Sequence, residues 1–120
     1  MNWNIKLFEL HNGKVPVLEY ITSLPAKNQA KIYREINLLE EHGNNHTYPH
    51  TKKIEGDQYS GLWELRIKFA SDASRIFYFI HINNTFVLLH GFSKKTDKTP
   101  NRELEQALSY MKYYLKRGEK

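Results

Sequence analysis

The sequence contains no cysteine, which removes two classes of small protein at once. Neither a disulfide framework nor a cysteine-ligated metal site is available to this chain. Long apolar runs are missing as well, because no stretch approaches the roughly 18 residues of a membrane span. The first residues also lack the basic and then apolar pattern of a secretory signal. We therefore expect a cytoplasmic protein that makes no contact with a membrane.

Acidic residues are in short supply relative to basic ones. Lysine and arginine outnumber aspartate and glutamate by 18 to 13, which gives a formal net charge of +5 and a pI near 9.4. This excess favours polyanions such as RNA or DNA as partners, although many globular domains are mildly basic for no specific reason. The length of 120 residues predicts one domain over residues 1–120, large enough for a core without cross-links.

The predicted elements run in the order strand, two helices, three or four strands, helix. Apolar alternation predicts the first strand at Trp3, Ile5 and Leu7. One helix starts at Pro16, and the next runs from a cap at Ser23 to a stop at Gly43. The last helix starts with Thr99 as cap and Pro100 in its first turn. We expect an α+β fold with a largely antiparallel sheet of about four to five strands, an N-terminal helical hairpin covering one face, and a C-terminal helix.

A segment rich in Gly, Asn and Pro, residues 42–51, contains three histidines at steps of four: His42, His46 and His50. Histidines can bind a metal ion, but this composition argues against a helix that would present the three rings on one side. We therefore expect exposed or loosely hydrogen-bonded histidines, with no metal site and no cofactor. After this loop, Lys52, Lys53 and Ile54 predict a short strand.

Three successive strands are predicted before the last helix, at residues 62–69, 75–82 and 86–92. An Asn-Asn step at 83–84 tolerates the left-handed backbone of a two-residue hairpin turn. Such a turn places Arg75 opposite Phe92 and Phe77 opposite His90.

A first loop of two or four residues would place Lys68 opposite Arg75 and Arg66 opposite Phe77. Directly opposed residues project to the same side of a sheet, about 5 Å apart. One face would then carry a basic cluster consisting of Arg66, Lys68 and Arg75, with His90 nearby and Lys94 and Lys95 just past the strand end. The other face would be the core, with Trp63, Leu65, Ile67, Ile76, Tyr78, Ile80, Val87 and Leu89. Clustered like charges cost stability, so we infer an anionic ligand; an odd-length first loop would instead turn Trp63 and Leu65 to the basic face.

Three runs in order, LWELR, RIFYF and LLHGFSKKTDKTP, followed by an amphipathic helix, resemble the phage-derived Gp49-like (HigB type) branch of the RelE/ParE toxin superfamily. The run SLP and the long helix ending at Gly43 are similar to the front half of that branch, so the likeness spans nearly the whole chain. It implies a RelE-like fold and the toxin of a type II toxin–antitoxin system. Most RelE-like members are metal-independent endoribonucleases that cut mRNA on the ribosome, whereas ParE members inhibit DNA gyrase.

The resemblance also implies roles for individual residues. Arg75 matches the family arginine that contacts the scissile phosphate, and Arg66 and Lys68 match basic positions on the preceding strand. Lys94 and Lys95 match the basic residues after the last strand. Two departures leave the general base open: Glu64 stands where the best-characterised pattern has a lysine, and residues 96–103 contain no tyrosine.

RNA cleavage without a metal requires one group to take the 2′-OH proton, another to protonate the 5′ oxygen, and cations to stabilise the phosphorane. Arg66 and Arg75 suit the phosphorane, because guanidinium is a bidentate phosphate ligand of fixed charge. Proton transfer falls to a lysine flanked by other cations, Lys68, Lys94 or Lys95, or to His90, unless that residue is a hydrogen-bonded structural histidine. Lys52, Lys53, Lys68 and Lys98 are predicted to bind the RNA backbone.

Three functions remain open on the sequence alone. The leading one is a ribosome-dependent mRNA endonuclease; the others are a ParE-like gyrase inhibitor and a non-catalytic nucleic-acid-binding module. The expected partners are the ribosome, mRNA and a cognate antitoxin of the helix-turn-helix, HigA-like type. Operator DNA would be bound only through that antitoxin.

Overall fold

The computed structural model describes residues 3–43, 51–95 and 98–118. Within these ranges the chain forms β1 (Asn4–Leu7), α1 (Pro16–Thr22), α2 (Ala26–His42), β2 (Thr51–Lys53), β3 (Trp63–Lys68), β4 (Ala73–His81), β5 (Thr85–Lys94) and α3 (Asn101–Lys116). A short 3-10 helix, Asp57–Tyr59, lies between β2 and β3. No helix in the described part of the chain is long and apolar enough to cross a membrane. The predicted α+β class is confirmed.

The strands of the described ranges form one mixed sheet in the order β1-β5-β4-β3-β2. β2, β3, β4 and β5 pair antiparallel in succession, and β1 runs parallel to β5. The predicted strand number and the antiparallel pairing of the central strands are confirmed. β1 makes the sheet mixed, and it occupies one edge while the short β2 occupies the other.

Helices cover both faces of the sheet, so the expectation of a single apolar face is wrong. On one face, α1 and α2 pack on a buried cluster of Val17, Ile21, Ile32, Ile36, Leu39, Leu65, Ile67, Ile76, Tyr78, Phe86 and Leu88. On the other, α3 packs on a second cluster of Phe8, Tyr59, Leu62, Phe77, Phe79, Val87, Leu89, Phe92, Ala107, Leu108, Met111 and Tyr114. Val87 and Leu89 therefore belong to the face opposite to the one predicted, and Ile80 is 40% exposed rather than in the core.

The β3–β4 loop has four residues, 69–72, one of the two predicted lengths, but it is centred one residue earlier than predicted. The backbone N–H of Phe69 donates to the carbonyl of Asp72 at 2.9 Å, which closes the turn close to the strand ends. Arg66 consequently lies opposite Arg75 rather than opposite Phe77. Because side chains alternate with a period of two, this two-residue error in register leaves every side chain on its predicted side.

The β4–β5 hairpin contains two departures from the prediction that cancel. Both predicted pairs are present, Arg75 with Phe92 and Phe77 with His90. The turn, however, spans residues 82–84, because His81 pairs with Thr85. Asn83 and Asn84 have positive φ values of 59° and 54°, as expected for asparagines in a tight turn.

A β-bulge restores the register farther along β5. It lies between the pairs of Phe77 and Tyr78, and it leaves Leu89 without a direct partner in the β4–β5 register. One extra residue inverts the alternation on one side of the bulge. This inversion is the physical reason why Val87 and Leu89 face α3 instead of α1 and α2.

Two predicted helix boundaries are confirmed, the start of α1 at Pro16 and the end of α2 at Gly43. The predicted cap Ser23 lies instead at the end of α1, where its hydroxyl donates to the carbonyl of Tyr20 at 2.6 Å. The cap of α3 is Pro100, one residue later than predicted. The hydroxyl of Thr99 is not used as a helix cap but accepts a hydrogen bond from Lys94 Nζ at 3.2 Å.

Candidate nucleic-acid interface

Five of the predicted basic residues lie in three rows across β2, β3, β4 and β5, on the face that α3 packs against: Lys52, Arg66, Lys68, Arg75 and Lys94. The rows follow from the strand pairings: Lys52–Glu64–Phe77–His90, Arg66–Arg75–Phe92 and Lys68–Ala73–Lys94. Directly paired residues project to the same side of a sheet, and so do alternate residues of one strand. Lys68 faces Ala73 rather than Arg75, but Arg66, Lys68, Arg75 and Lys94 share one face.

A cleft of about 290 Å³ opens between β2, β3, the end of β5 and the start of α3. It is lined by Lys52, Lys53, Ile54, Glu55, Glu64, Arg66, Lys94, Thr99 and Leu104. Four of the predicted basic residues, from three different strands, thus come together around one opening. Because all four residues lie on strands, the sheet and not a loop fixes the backbone positions from which their side chains extend.

Arg75 lies beneath this surface in a buried ion pair. Arg75 is 6% exposed and Glu64 is 4% exposed. Arg75 Nε lies 3.4 Å from Glu64 Oε1, and this nitrogen forms no hydrogen bond with any of the described residues. Arg75 Nη1 donates a hydrogen bond to the carbonyl of Ser74 at 3.2 Å. Burial lowers the pKa of the Arg75 guanidinium; Glu64 opposes that shift, and Arg66 adds to it. Arginine stays protonated nonetheless, so Glu64, which lines the cleft, has a permanent positive charge beside it.

Lys94 is the most buried lysine of the cleft lining, with an exposure of 9%. β5 extends through Lys94, so this residue lies within the strand and not past its end as predicted. Its ammonium group donates to Thr99 Oγ1, which precedes α3. Lys95, which directly follows the strand, is exposed.

His90 contacts α3 instead of the cleft. Its Nε2 lies 2.6 Å from Glu103 Oε1, and both side chains are less than one-fifth exposed. The ring stacks on Phe92, with centroids 6.3 Å apart, and meets Tyr110 edge-on at 6.0 Å. In the register, Phe77 lies between His90 and Glu64. The contacts of His90 with Glu103 and Tyr110 therefore join β5 to α3.

The other predicted residues lie outside the cleft lining. Lys68, Lys95 and Lys98 are exposed. Among the three loop histidines, His42 is exposed and lies 3.5 Å from Glu41 Oε1, while His46 and His50 are outside the described residues. Within 3–43, 51–95 and 98–118 there is no group of three or more His, Cys, Asp or Glu that could hold a metal ion.

The sequence interpretation assigned no role to the two carboxylates of this cleft, Glu55 and Glu64. Glu64 was noted there as a departure from a lysine-containing pattern. Its alternation with Arg66 on β3 was available as a signal, since residues two apart on a strand share a face. What the sequence did not provide was the β3–β4 register, which brings Arg75 within reach of the Glu64 carboxylate.

Comparison with known proteins identifies the family to which this chain belongs. No curated protein matches the chain. The family model for phage-derived Gp49-like proteins (DUF891) matches residues 19–112, a range that contains α2, β2–β5, the cleft and most of α3. The chain belongs to this phage-derived Gp49-like family, the Gp49/HigB-like branch of the RelE-like toxins.

Proposed function

We propose that this protein is the toxin of a type II toxin–antitoxin system and that it cleaves mRNA on the ribosome without a metal ion. One observation carries the proposal: a cleft of about 290 Å³ lined by four cations, Lys52, Lys53, Arg66 and Lys94, in a chain of a toxin-like family. Fixed cations around an opening of this kind suit a phosphodiester, whose charge increases in the transition state. The site of action would be the cytoplasm, where mRNA is translated.

The cleft residues can be assigned to the steps of a 2′-OH attack. Arg66 presents a guanidinium to the scissile phosphate and stabilises the phosphorane. Lys94, held by Thr99, protonates the leaving 5′ oxygen. Lys52 and Lys53, both exposed on β2, bind flanking phosphates and orient the RNA without reading its sequence. A direct phosphate contact by Arg75 and a proton-transfer role for His90 remain predictions, since neither residue lines the cleft.

In this proposal the ribosome, and not the cleft, orders the RNA substrate for reaction. The opening is exposed on its β2 side, and Ile54 and Leu104 are the apolar residues among its described lining residues, so we infer that the cleft by itself does not order a flexible RNA. Fixing the reacting groups in an attack geometry is worth many orders of magnitude in rate. A codon held in the decoding site would provide this order.

The fold and the partner are part of the same proposal. We assign the fold to the RelE-like type, with α1 and α2 as its N-terminal helical hairpin, because both pack on the same face of the sheet. The cognate antitoxin would be a helix-turn-helix protein of the HigA-like type that binds operator DNA on behalf of the complex. The net charge of +5 favours an acidic antitoxin surface over the cleft.

The experiment is the mapping of mRNA 5′ ends in a reconstituted translation reaction with and without the protein. Cuts within codons that require ribosomes support the proposal. Arg66→Ala and Lys94→Ala should each lower the cleavage rate by about 10²–10³-fold, as expected for the loss of one transition-state cation. The controls are Lys27→Ala and Arg34→Ala, which remove exposed cations from α2 on the opposite face of the sheet.

Three other outcomes point elsewhere. Equal cutting of ribosome-free transcript would contradict the ribosome requirement. Absence of cuts combined with inhibition of supercoiling by DNA gyrase would favour the ParE-like alternative. Tight RNA binding without new 5′ ends would favour a non-catalytic nucleic-acid-binding module.

A further inference from the structure

The cleft needs a proton acceptor, and its cations do not supply one. Ammonium and guanidinium groups carry no acceptor site at neutral pH, whereas a carboxylate accepts through both oxygens. Two carboxylates occur among the described residues that line the cleft, Glu55 and Glu64. Attack by a 2′-OH on phosphorus requires removal of its proton, and these two carboxylates are the candidate acceptors among the described lining residues.

The two carboxylates differ in how firmly they are held. Glu55 is exposed beside the short strand β2. Glu64 lies within β3, is 4% exposed, and has Arg75 Nε at 3.4 Å from its Oε1 atom. A general base must stay within hydrogen-bond reach of the proton that it takes, which favours the side chain fixed in a strand.

We propose that Glu64 is the general base of the RNA cleavage, an inference that rests on the proposed function. The Glu64 carboxylate takes the proton of the 2′-OH while the 2′ oxygen forms a bond to phosphorus. The bond from phosphorus to the 5′ oxygen breaks, and that oxygen receives a proton from the Lys94 ammonium group. The products are a 2′,3′-cyclic phosphate and a 5′-OH, and proton exchange with water restores both side chains.

Arg75 acts in this scheme through Glu64, as a positioning residue. Its guanidinium Nε lies 3.4 Å from Glu64 Oε1 on the same face of the sheet, and Glu64 in turn lines the cleft. The other charged groups that surround the Glu64 position are Lys52, its partner on β2, the cleft cations Arg66, Lys94 and Lys53, and the second cleft carboxylate, Glu55. The segment that leads into α3 contributes the neutral residues Thr99 and Leu104 to the lining.

A change of leaving group distinguishes a variant that lacks the general base from one that lacks the general acid. Ribosome-bound mRNA is prepared with either a normal 5′ oxygen or a bridging 5′ sulfur at the scissile bond. Sulfur leaves without needing a proton, so a variant that lacks the acid regains its rate and a variant that lacks the base does not. Under single-turnover conditions, Glu64→Gln should lose about 100-fold or more on both substrates, in the range of general-base contributions. Lys94→Ala should be slow on the oxygen substrate and close to wild type on the sulfur substrate.

The pH profile provides a second readout that a purely structural role would not change. The wild-type cleavage rate should fall with unit slope towards acid, and Glu64→Gln should lack this limb. Because that variant buries Arg75 without its counter-charge, the double variant Glu64→Gln/Arg75→Gln is measured alongside it, and thermal unfolding reports whether each is folded. Glu40→Gln, which alters an exposed carboxylate on α2, serves as the control and should match wild type.

The failures of the two proposals are distinguishable. If the wild-type protein cuts neither substrate on the ribosome, the proposed function is wrong and the role of Glu64 is wrong with it. If the wild type cuts but Glu64→Gln is rescued by sulfur, or the folded double variant keeps the acidic limb, only the role of Glu64 is overturned. A loss that appears in Glu55→Gln instead would move the base to that residue and would equally overturn it.

Discussion

Glu64 and Arg75 form an ion pair whose side chains are only 6% and 8% exposed. Removing one partner of such a pair leaves an uncompensated buried charge, which typically costs about 3–5 kcal/mol. We expect Arg75→Met to lower the free energy of unfolding by an amount in this range. The double variant Glu64→Gln/Arg75→Met should recover most of the loss, because no charge is then left buried.

Urea unfolding at neutral pH gives the free energies of unfolding of the wild type, the two single variants Glu64→Gln and Arg75→Met, and the double variant. Together these four values form a double-mutant cycle. Additive effects of the two substitutions would contradict a direct interaction. The result also decides how an inactive Arg75 variant is interpreted. If Arg75→Met is strongly destabilised, its loss of activity is no evidence for a phosphate contact, and activity must be compared at temperatures where both proteins are folded.

At this scale the sequence predicted the residue types of the site better than their environments. Lys52, Lys53, Arg66 and Lys94 were all expected near an anion, and the cleft brings them together. The burial of Arg75 was not expected, because burial depends on the packing of α3 and on a register that the sequence alone does not fix. The contact between His90 and Glu103 was not predicted either, because it joins β5 to α3 and depends on how these two elements pack.

Among the secondary-structure elements, α1 and β5 meet at an unusually close contact. A Cβ atom at Gly91 would lie 2.6 Å from Tyr20 Cδ2, well inside van der Waals distance. The Tyr20 hydroxyl also shares hydrogen bonds with Ser74 Oγ at 2.6 Å and Ser93 Oγ at 2.9 Å. The absence of a side chain at residue 91 therefore allows this ring to bridge β4 and β5.

We expect Gly91→Ala to destabilise the protein by about 1–3 kcal/mol through this overpacking, as measured by chemical denaturation. The backbone at Gly91 does not have a positive φ, so the effect is steric. Combining it with Tyr20→Ala should abolish the clash, and the cost of Gly91→Ala in that background should fall to near zero. An unchanged cost in the Tyr20→Ala background would show that another contact is responsible.

The elements themselves were largely predictable, and their connections were not. Alternation and helical spacing identified the strands and helices, because each depends on local pattern. The β5 bulge at Leu89 and the three-residue turn at 82–84 are opposite adjustments within one hairpin, and a local pattern cannot separate them from an ideal two-residue turn. Ser23 and Thr99 were assigned as caps from their type, whereas one hydroxyl closes α1 and the other binds Lys94.

In the whole molecule, the placement of α3 decides where a ligand has access. α3 packs against Phe77, Phe79 and Phe92 with its apolar stripe, and the first residues of the helix reach the cleft. The remaining part of this face, towards β2 and the end of β3, carries the exposed cations Lys52 and Lys68. The apolar stripe of α3 was evident in the sequence, but the face that it would cover depends on tertiary packing.

The distribution of the net charge of +5 leads to a prediction about RNA affinity. Lys52→Glu/Lys53→Glu reverses two exposed charges at the cleft, while Lys27→Glu/Arg34→Glu reverses two exposed charges on α2. Both variants have the same net charge, so an effect of net charge alone would be equal in the two. We expect the cleft variant alone to bind a 2′-O-methyl RNA oligonucleotide at least about tenfold more weakly at low salt.

Fluorescence anisotropy at a series of salt concentrations makes the comparison quantitative. If Lys52 and Lys53 each neutralise one phosphate, the slope of log affinity against log salt should become shallower by about 1.4 in the cleft variant, because each contact on a single strand contributes about 0.7. The α2 variant should keep the wild-type slope. Equal slopes and equal losses in the two variants would mean that RNA is attracted by the net charge of the molecule and not by the cleft, and the interface would then have to be sought elsewhere on the surface.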